Sequence, residues 1–187
     1  MRTNILIFLL FFFVSAISAQ DISTSANALK SDKQLKKEKK EAERHFQYML
    51  VGHLIDSMRF VLEADYLSGN SGVRSMVSSS INYILVDSLK GAIQTGSNMG
   101  FGSNGVGGAT AKGSISSWKV FKNEKKEYYS IKIDMSTNLG FFTIFMDVFP
   151  DLRASGRLTG IGRGSLNMDG FIVPLKKSRI YRATSVF

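Results

Sequence analysis

From Met58 to the carboxyl end the chain repeats one pattern, short runs in which apolar and polar residues alternate, separated by turn signals. Met58, Phe60, Leu62, Ala64 and Tyr66 alternate with Arg59, Glu63 and Asp65, and Tyr129, Ile131, Ile133 and Met135 alternate with Ser130, Lys132 and Asp134. A period of two sends successive side chains to opposite faces, so each run reads as a half-buried strand. Residues 81–87, 115–122 and 141–149 are rich in β-branched and aromatic residues, and runs at 153–161, 165–176 and 179–186 extend the pattern. Turn residues at 68–72, 122–127, 136–140 and Pro150-Asp151 join these runs by short links. Short links between short strands imply antiparallel pairing. About eight to ten strands need their edges protected, either by closing the sheet into a barrel or by folding it into a sandwich.

Before Met58 the period is 3.6. Ser31 with Gln34 makes a capping box, and Leu35, Ala42, Phe46, Met49, Leu50, His53 and Leu54 fall at helical spacing. A helix over about 32–54 follows. Its first half is almost entirely charged, so only its second half can bury a stripe. Within 141–149 one face holds Phe142, Ile144, Met146 and Val148, and the other holds Phe141, Phe145 and Phe149. Both faces call for cover, and the helix is the expected cover for the outer one.

The amino end has the three-part layout of a secretory signal: Arg2, an apolar run over 5–14, then small residues to Ala19. The run is too short for the ~20 apolar residues of a spanning helix. The expected organisation is a signal peptide at 1–19, a flexible linker at 20–31, and one β-rich domain with its helix at 32–187. Cleavage leaves a protein that is exported to the periplasm or beyond and is not transmembrane. The chain has no cysteine, which excludes disulfides, thiol catalysis and thiolate metal sites.

The net charge is +9 and collects at the two ends. For an exported protein this favours anionic lipids and polysaccharides over nucleic acid. Arg157, Arg163, Lys176, Lys177 and Arg179 are the candidate anion-binding residues, beside Arg153 and Arg182 in the same basic stretch. Residues 91–113 carry eight glycines, and Gly100, Phe101, Gly102, Gly105, Gly107 and Gly108 are the candidate ligand loop. Residues 100–105 match G-x-G-x-x-G, but a strand pattern follows where a dinucleotide site needs a helix. No cofactor is expected. His45 and His53 lie eight apart on one helix, which is not the spacing of a zinc pair. Asp65, Asp87, Asp134, Asp147 and Asp169 are scattered among strands.

Several segments resemble the bacterial family called domain of unknown function 4251. They are Asn82-Tyr83-Ile84-Leu85-Val86, Gly105-Val106-Gly107-Gly108 leading to Gly113, Tyr129-Ser130-Ile131-Lys132-Ile133, and Gly170-Phe171-Ile172-Val173-Pro174 with Ser178-Arg179-Ile180-Tyr181. Asp151-Leu152-Arg153-Ala154 departs from the pattern, which has a glycine turn before the alanine. The resemblance implies a protein exported by a Gram-negative bacterium, with a lipocalin-like antiparallel β fold. It implies no activity and no catalytic residues.

Three functions fit. The first is a non-enzymatic envelope protein binding an apolar or amphiphilic small ligand, held in an apolar cavity gated by the glycine-rich segment. Fourteen phenylalanines and eight methionines suit such a cavity, and they suit a filled core equally. The second is a structural or interaction module contacting anionic envelope polymers through its basic C-terminal strands. The third is a hydrolase with a site assembled from distant residues.

Overall fold

The computed structural model describes residues 18–97, 104–160 and 162–182. The element order is α1 (Ser18–Asp56), β1 (Arg59–Ser68), β2 (Arg74–Met76), β3 (Tyr83–Asp87), β4 (Lys90–Gln94), β5 (Thr110–Asn123), β6 (Tyr128–Thr137), β7 (Gly140–Val148), β8 (Arg153–Thr159) and β9 (Ser165–Pro174), then a short 3₁₀ turn (Leu175–Lys177). Residues 1–43 and 44–187 form two compact units. In the first, the charged part of α1 carries a Lys37–Glu41 pair one helical turn apart. The signal-peptide segment falls almost wholly outside the described residues. Helical backbone begins at Ser18, earlier than the capping box predicts. Residues 20–31 contain neither glycine nor proline to stop a helix.

The second unit is a closed antiparallel barrel. Neighbouring strands pair in sequence from β3 to β9, and β1 closes the ring by pairing with β3 on one side and β9 on the other. Eight strands form the wall, and β2 is an extra strand on the end of β1, with Tyr66 opposite Met76. The barrel rather than the sandwich follows from this closure. Strand period decides what faces in: Phe60, Leu62, Ile84, Ile131, Ile133, Met135, Ile144, Met146, Met168 and Ile172 are all buried in one core. A Cβ added to Gly156 of β8 would stand 3.0 Å from both Ile84 and Leu62. The barrel is therefore packed across its width and encloses no apolar chamber there. Eight strands leave an interior just wide enough for side chains to fill.

The part of α1 that belongs to this unit, residues 44–56, does not cover the outer face of β7, where Phe141 is 71% exposed and Phe145 50%. Instead Tyr48, Val51 and Ile55 join the barrel core. A stripe of three such residues, one turn apart, matches the end of a barrel better than a strand-long face. Tyr48 stacks on Tyr129 with ring centroids 4.6 Å apart, and a Cβ at Gly52 would collide with the Tyr129 hydroxyl. Arg44 and His45 both bond Glu127 in the β5–β6 turn. Burial would raise the Glu127 carboxyl, but the bonds from Arg44 and His45 outweigh it and hold the group below its ordinary range.

The run at 179–186 is not a strand over its described part. The tail after β9 crosses the outer face of the wall, where Leu175 and Ile180 cover Val61, Tyr83, Leu85 and Ala92. Gln94 fastens it, accepting from the Tyr83 hydroxyl and donating to the Tyr181 carbonyl at 2.9 Å. Two short strands, β2 and β4, leave no alternation in the sequence, because three to five residues with a glycine or few apolar positions carry too little period. At the departure from the family pattern the hairpin is tight, with Leu152 at φ 66° where a glycine would be unstrained.

Two measurements check this packing. Gly156→Val should overfill the barrel and cost roughly 1–3 kcal/mol in urea unfolding. Burial pushes the Tyr83 phenol up to about 12, against the pull of Arg182, from an ordinary 10.0. The folded state holds this proton more tightly, so its contribution is full below pH 10 and is lost as pH rises from 10 to about 12. Tyr83→Phe should flatten that part of the stability–pH curve.

Candidate functional site at the barrel mouth

The two ends of the barrel differ. One carries the helix; the other is ringed by the β4–β5 connection, the β6–β7 turn and the β8–β9 loop. The β4–β5 connection is held by buried amides. Asn82 donates to the carbonyls of Ser78 and Gly96 and accepts from the Gly96 amide. Asn104 donates to the Thr95 carbonyl and the Thr110 hydroxyl, while its Oδ1 accepts from the amides of Val106 and Gly108. Gly105 and Gly107 have φ of 74° and 75°, and a Cβ at Gly107 or Gly108 would strike the 95–97 backbone. These three glycines thus serve the folded path of the connection. Gly100, Phe101 and Gly102 lie outside the described residues. Strand β5 follows, so no helix stands where a dinucleotide site would need one.

Within this ring is an open cleft of about 520 Å³, lined by Ile93, Ala111, Phe142, Leu158 and Leu166 from the upper barrel interior, with Leu139 and the glycines of the β8–β9 loop at the rim. Ala111 is small where its neighbours are large, and Leu139 is 41% exposed. The space lies above the packed core. Its size is that of a small-molecule site, for which ~300–1,000 Å³ is typical.

A second cleft, of about 630 Å³, lies outside the same rim, between the β1–β2 turn and strands β8 and β9. Arg157 and Arg163 both line it, with Thr159, Ser165, Asn167 and Asn70. Asn70 ties the turn to the loop: its Oδ1 accepts from the Ser165 amide and hydroxyl, both at 2.9 Å, and its Nδ2 donates to the Arg163 carbonyl at 3.5 Å. Gly162, Gly164 and Ser165 line both clefts, so the two adjoin across the β8–β9 loop. The other three candidate cations are elsewhere. Lys176 and Lys177 are exposed on the 3₁₀ turn, and the Arg179 amide donates to Glu63.

Asp65 and Asp169 share a groove of about 430 Å³ on the outer wall. Asp169 is bound by Arg74 at 3.3 Å and by the Ser155 hydroxyl at 2.6 Å. The Thr143 hydroxyl, above all, holds the Asp134 carboxyl below its ordinary range, with help from Lys132. His53 is exposed. Among the described residues no group of three or more His, Asp or Glu side chains converges on one point as a metal site would require.

Of the residues that the sequence singles out, Arg157 and Arg163 share a cleft, while the mouth residues and Asn70 carry no signal of their own. The apolar ones read as ordinary strand positions, and Asn70 as turn chemistry. Its part in the rim is measurable: Asn70→Ala should cost about 1 kcal/mol and speed hydrogen exchange at the Ser165 amide more than elsewhere in β9.

No curated protein matches this chain. The crystal structure of a DUF4251 family protein from Bacteroides eggerthii DSM 20697 is similar to it in fold, with a TM-score of 0.61 and 24% identity, over 73% of this chain and 93% of that one. The family described as "Domain of unknown function (DUF4251)" matches residues 37–172, the greater part of α1 and nearly the whole barrel, and the chain belongs to that family.

Proposed function

We propose that this protein is an exported, non-enzymatic binding module whose barrel mouth takes an apolar or amphiphilic small ligand. The observation that carries the reading is the mouth cleft: apolar side chains line it, while the barrel beneath is filled. A ligand would insert a short apolar segment against Ile93, Phe142, Leu158 and Leu166 and leave the rest at the rim. Each buried methylene is worth ~0.8 kcal/mol, so a few suffice for a weak, exchangeable complex. The charged, apolar, small layout of residues 1–19 supports export. The bonds that engage Asp134, Asp169 and Glu127 support a non-enzymatic role, since they give each carboxylate a structural task.

The neutral dye Nile red is a suitable probe. Its fluorescence should rise saturably on titration with the protein. Leu139→Asp, a change at an exposed rim position, should weaken binding roughly tenfold by placing a charge against the apolar contact, whereas Lys176→Ala should leave it unchanged. No saturable signal, or equal affinity in Leu139→Asp, would overturn the reading.

A further inference from the structure

We infer that the ligand of the mouth carries an anionic group, which Arg157 and Arg163 hold in the cleft just outside the rim. The inference rests on the mouth reading above and adds the chemistry of the ligand's polar end.

Arg44, Arg59, Arg74 and Arg153 each lie on a carboxylate, Glu127, Asp87, Asp169 and Asp151 respectively. Arg157 and Arg163 make no ion pair among the described residues, and no acid lines their cleft. Arg179 and Arg182 of the tail also make no ion pair among the described residues, but Arg157 and Arg163 are the two that line one cleft together. The cross-strand neighbours of Arg157 are Phe145 and Asn167, one apolar and one neutral. The remaining side chains of the cleft are hydroxyls and amides, which bond to anionic oxygen without competing for it. Two guanidinium groups facing one concavity repel each other while it is empty, and an anion between them removes that cost. Each offers a planar fork of N–H donors suited to a carboxylate or a phosphate.

Position supplies the link to an apolar chain. Arg157 and Leu158 are consecutive in β8, so one points out and the other in. Leu158 lines the mouth and Arg157 the outer cleft. At the β8–β9 loop, Gly162, Gly164 and Ser165 line both spaces, and the two glycines carry no side chain at that shared border. A molecule draped over this loop, tail inward and head outward, meets both surfaces. The ligand class is a single-chain amphiphile with a carboxylate or phosphate head.

Isothermal titration of the protein with decanoate, decyl phosphate, decanol and inorganic phosphate tests this. Decanoate or decyl phosphate should bind roughly tenfold or more tightly than decanol, as expected for a charge-assisted pair at a partly wet site, and the stronger of the two names the head. In the Arg157→Gln/Arg163→Gln variant the chains should bind alike, with decanol unaffected. Both positions are exposed and make no ion pair, so the fold should tolerate the change. Raised salt should erode the same advantage in the unmodified protein, a readout free of mutation. Gly162→Glu, at a position where a Cβ meets open space, should act in the same direction. Equal affinity for decanol and decanoate would overturn the anionic head and leave the mouth reading standing. Inorganic phosphate binding as tightly as decyl phosphate would make the cleft a free-anion site and overturn the amphiphile. Failure of every chain to bind, Nile red included, would sink both readings together.

Discussion

The pairing of β1 with β9 is the constraint on which the rest of the structure depends. From Phe60 opposite Pro174 to Ser68 opposite Asn167, it turns an open meander into a ring. Without it, the edges of β1 and β9 would each present unpaired amides and carbonyls. With it, every strand has an inside and an outside, and a period of two becomes a radial sorting rule. Gly170 belongs to this seam, since a Cβ there would collide with the backbone of Glu63 in β1. The glycine thus allows the closing strands to approach to pairing distance.

Closure at eight strands fixes the bore, and the bore dictates what the interior can be. Side chains reach across it, as the approach of Ile84 and Leu62 to Gly156 of β8 shows. Within the bore, the space left open lies toward an end. One end is occupied by the last turns of α1, where Tyr48, Val51 and Ile55 complete the core and the close contact at Gly52 leaves no room for a larger residue. The open cleft is at the other end, where the wall strands are joined by loops.

The fold was largely readable because burial and period coincide. Where a strand is long and has one face inside, as in β6 with its buried Tyr129, Ile131, Ile133 and Met135, alternation names both the element and its inner face. Alternation misleads where this coupling breaks. In β7 the outer phenylalanines suggested a covering layer, yet they remain exposed, because hydrophobicity alone does not say which apolar face the fold covers. The tail at 179–182 has strand-like composition but serves as a cover, latched through Gln94 by contacts about 87 residues apart in sequence. Of the candidate site, only the charge was legible. Five cations close in sequence divide between the rim and the tail because β9 crosses the length of the barrel between them. An enclosed cavity was expected from phenylalanine and methionine content, which cannot distinguish a filled bore from an empty one.

The adjacency of an apolar mouth and a basic cleft follows from the same alternation that builds the wall. In any strand reaching a barrel rim, the last residues sample the interior and the exterior in turn. At the start of β1 the outward cation finds an acid on the neighbouring strand, as Arg59 does in Asp87. At β8 the outward neighbours of Arg157 are Phe145 and Asn167, and neither can neutralise it. Arg163 adds a second charge from the loop, held in place through its backbone by Asn70 and so independently of its own side chain. Arg157 makes no ion pair among the described residues, is exposed to solvent, and stands one residue from the apolar lining. The barrel supplies the apolar surface as a consequence of closing, and the neutral neighbours of Arg157 on β7 and β9 leave a basic surface beside it.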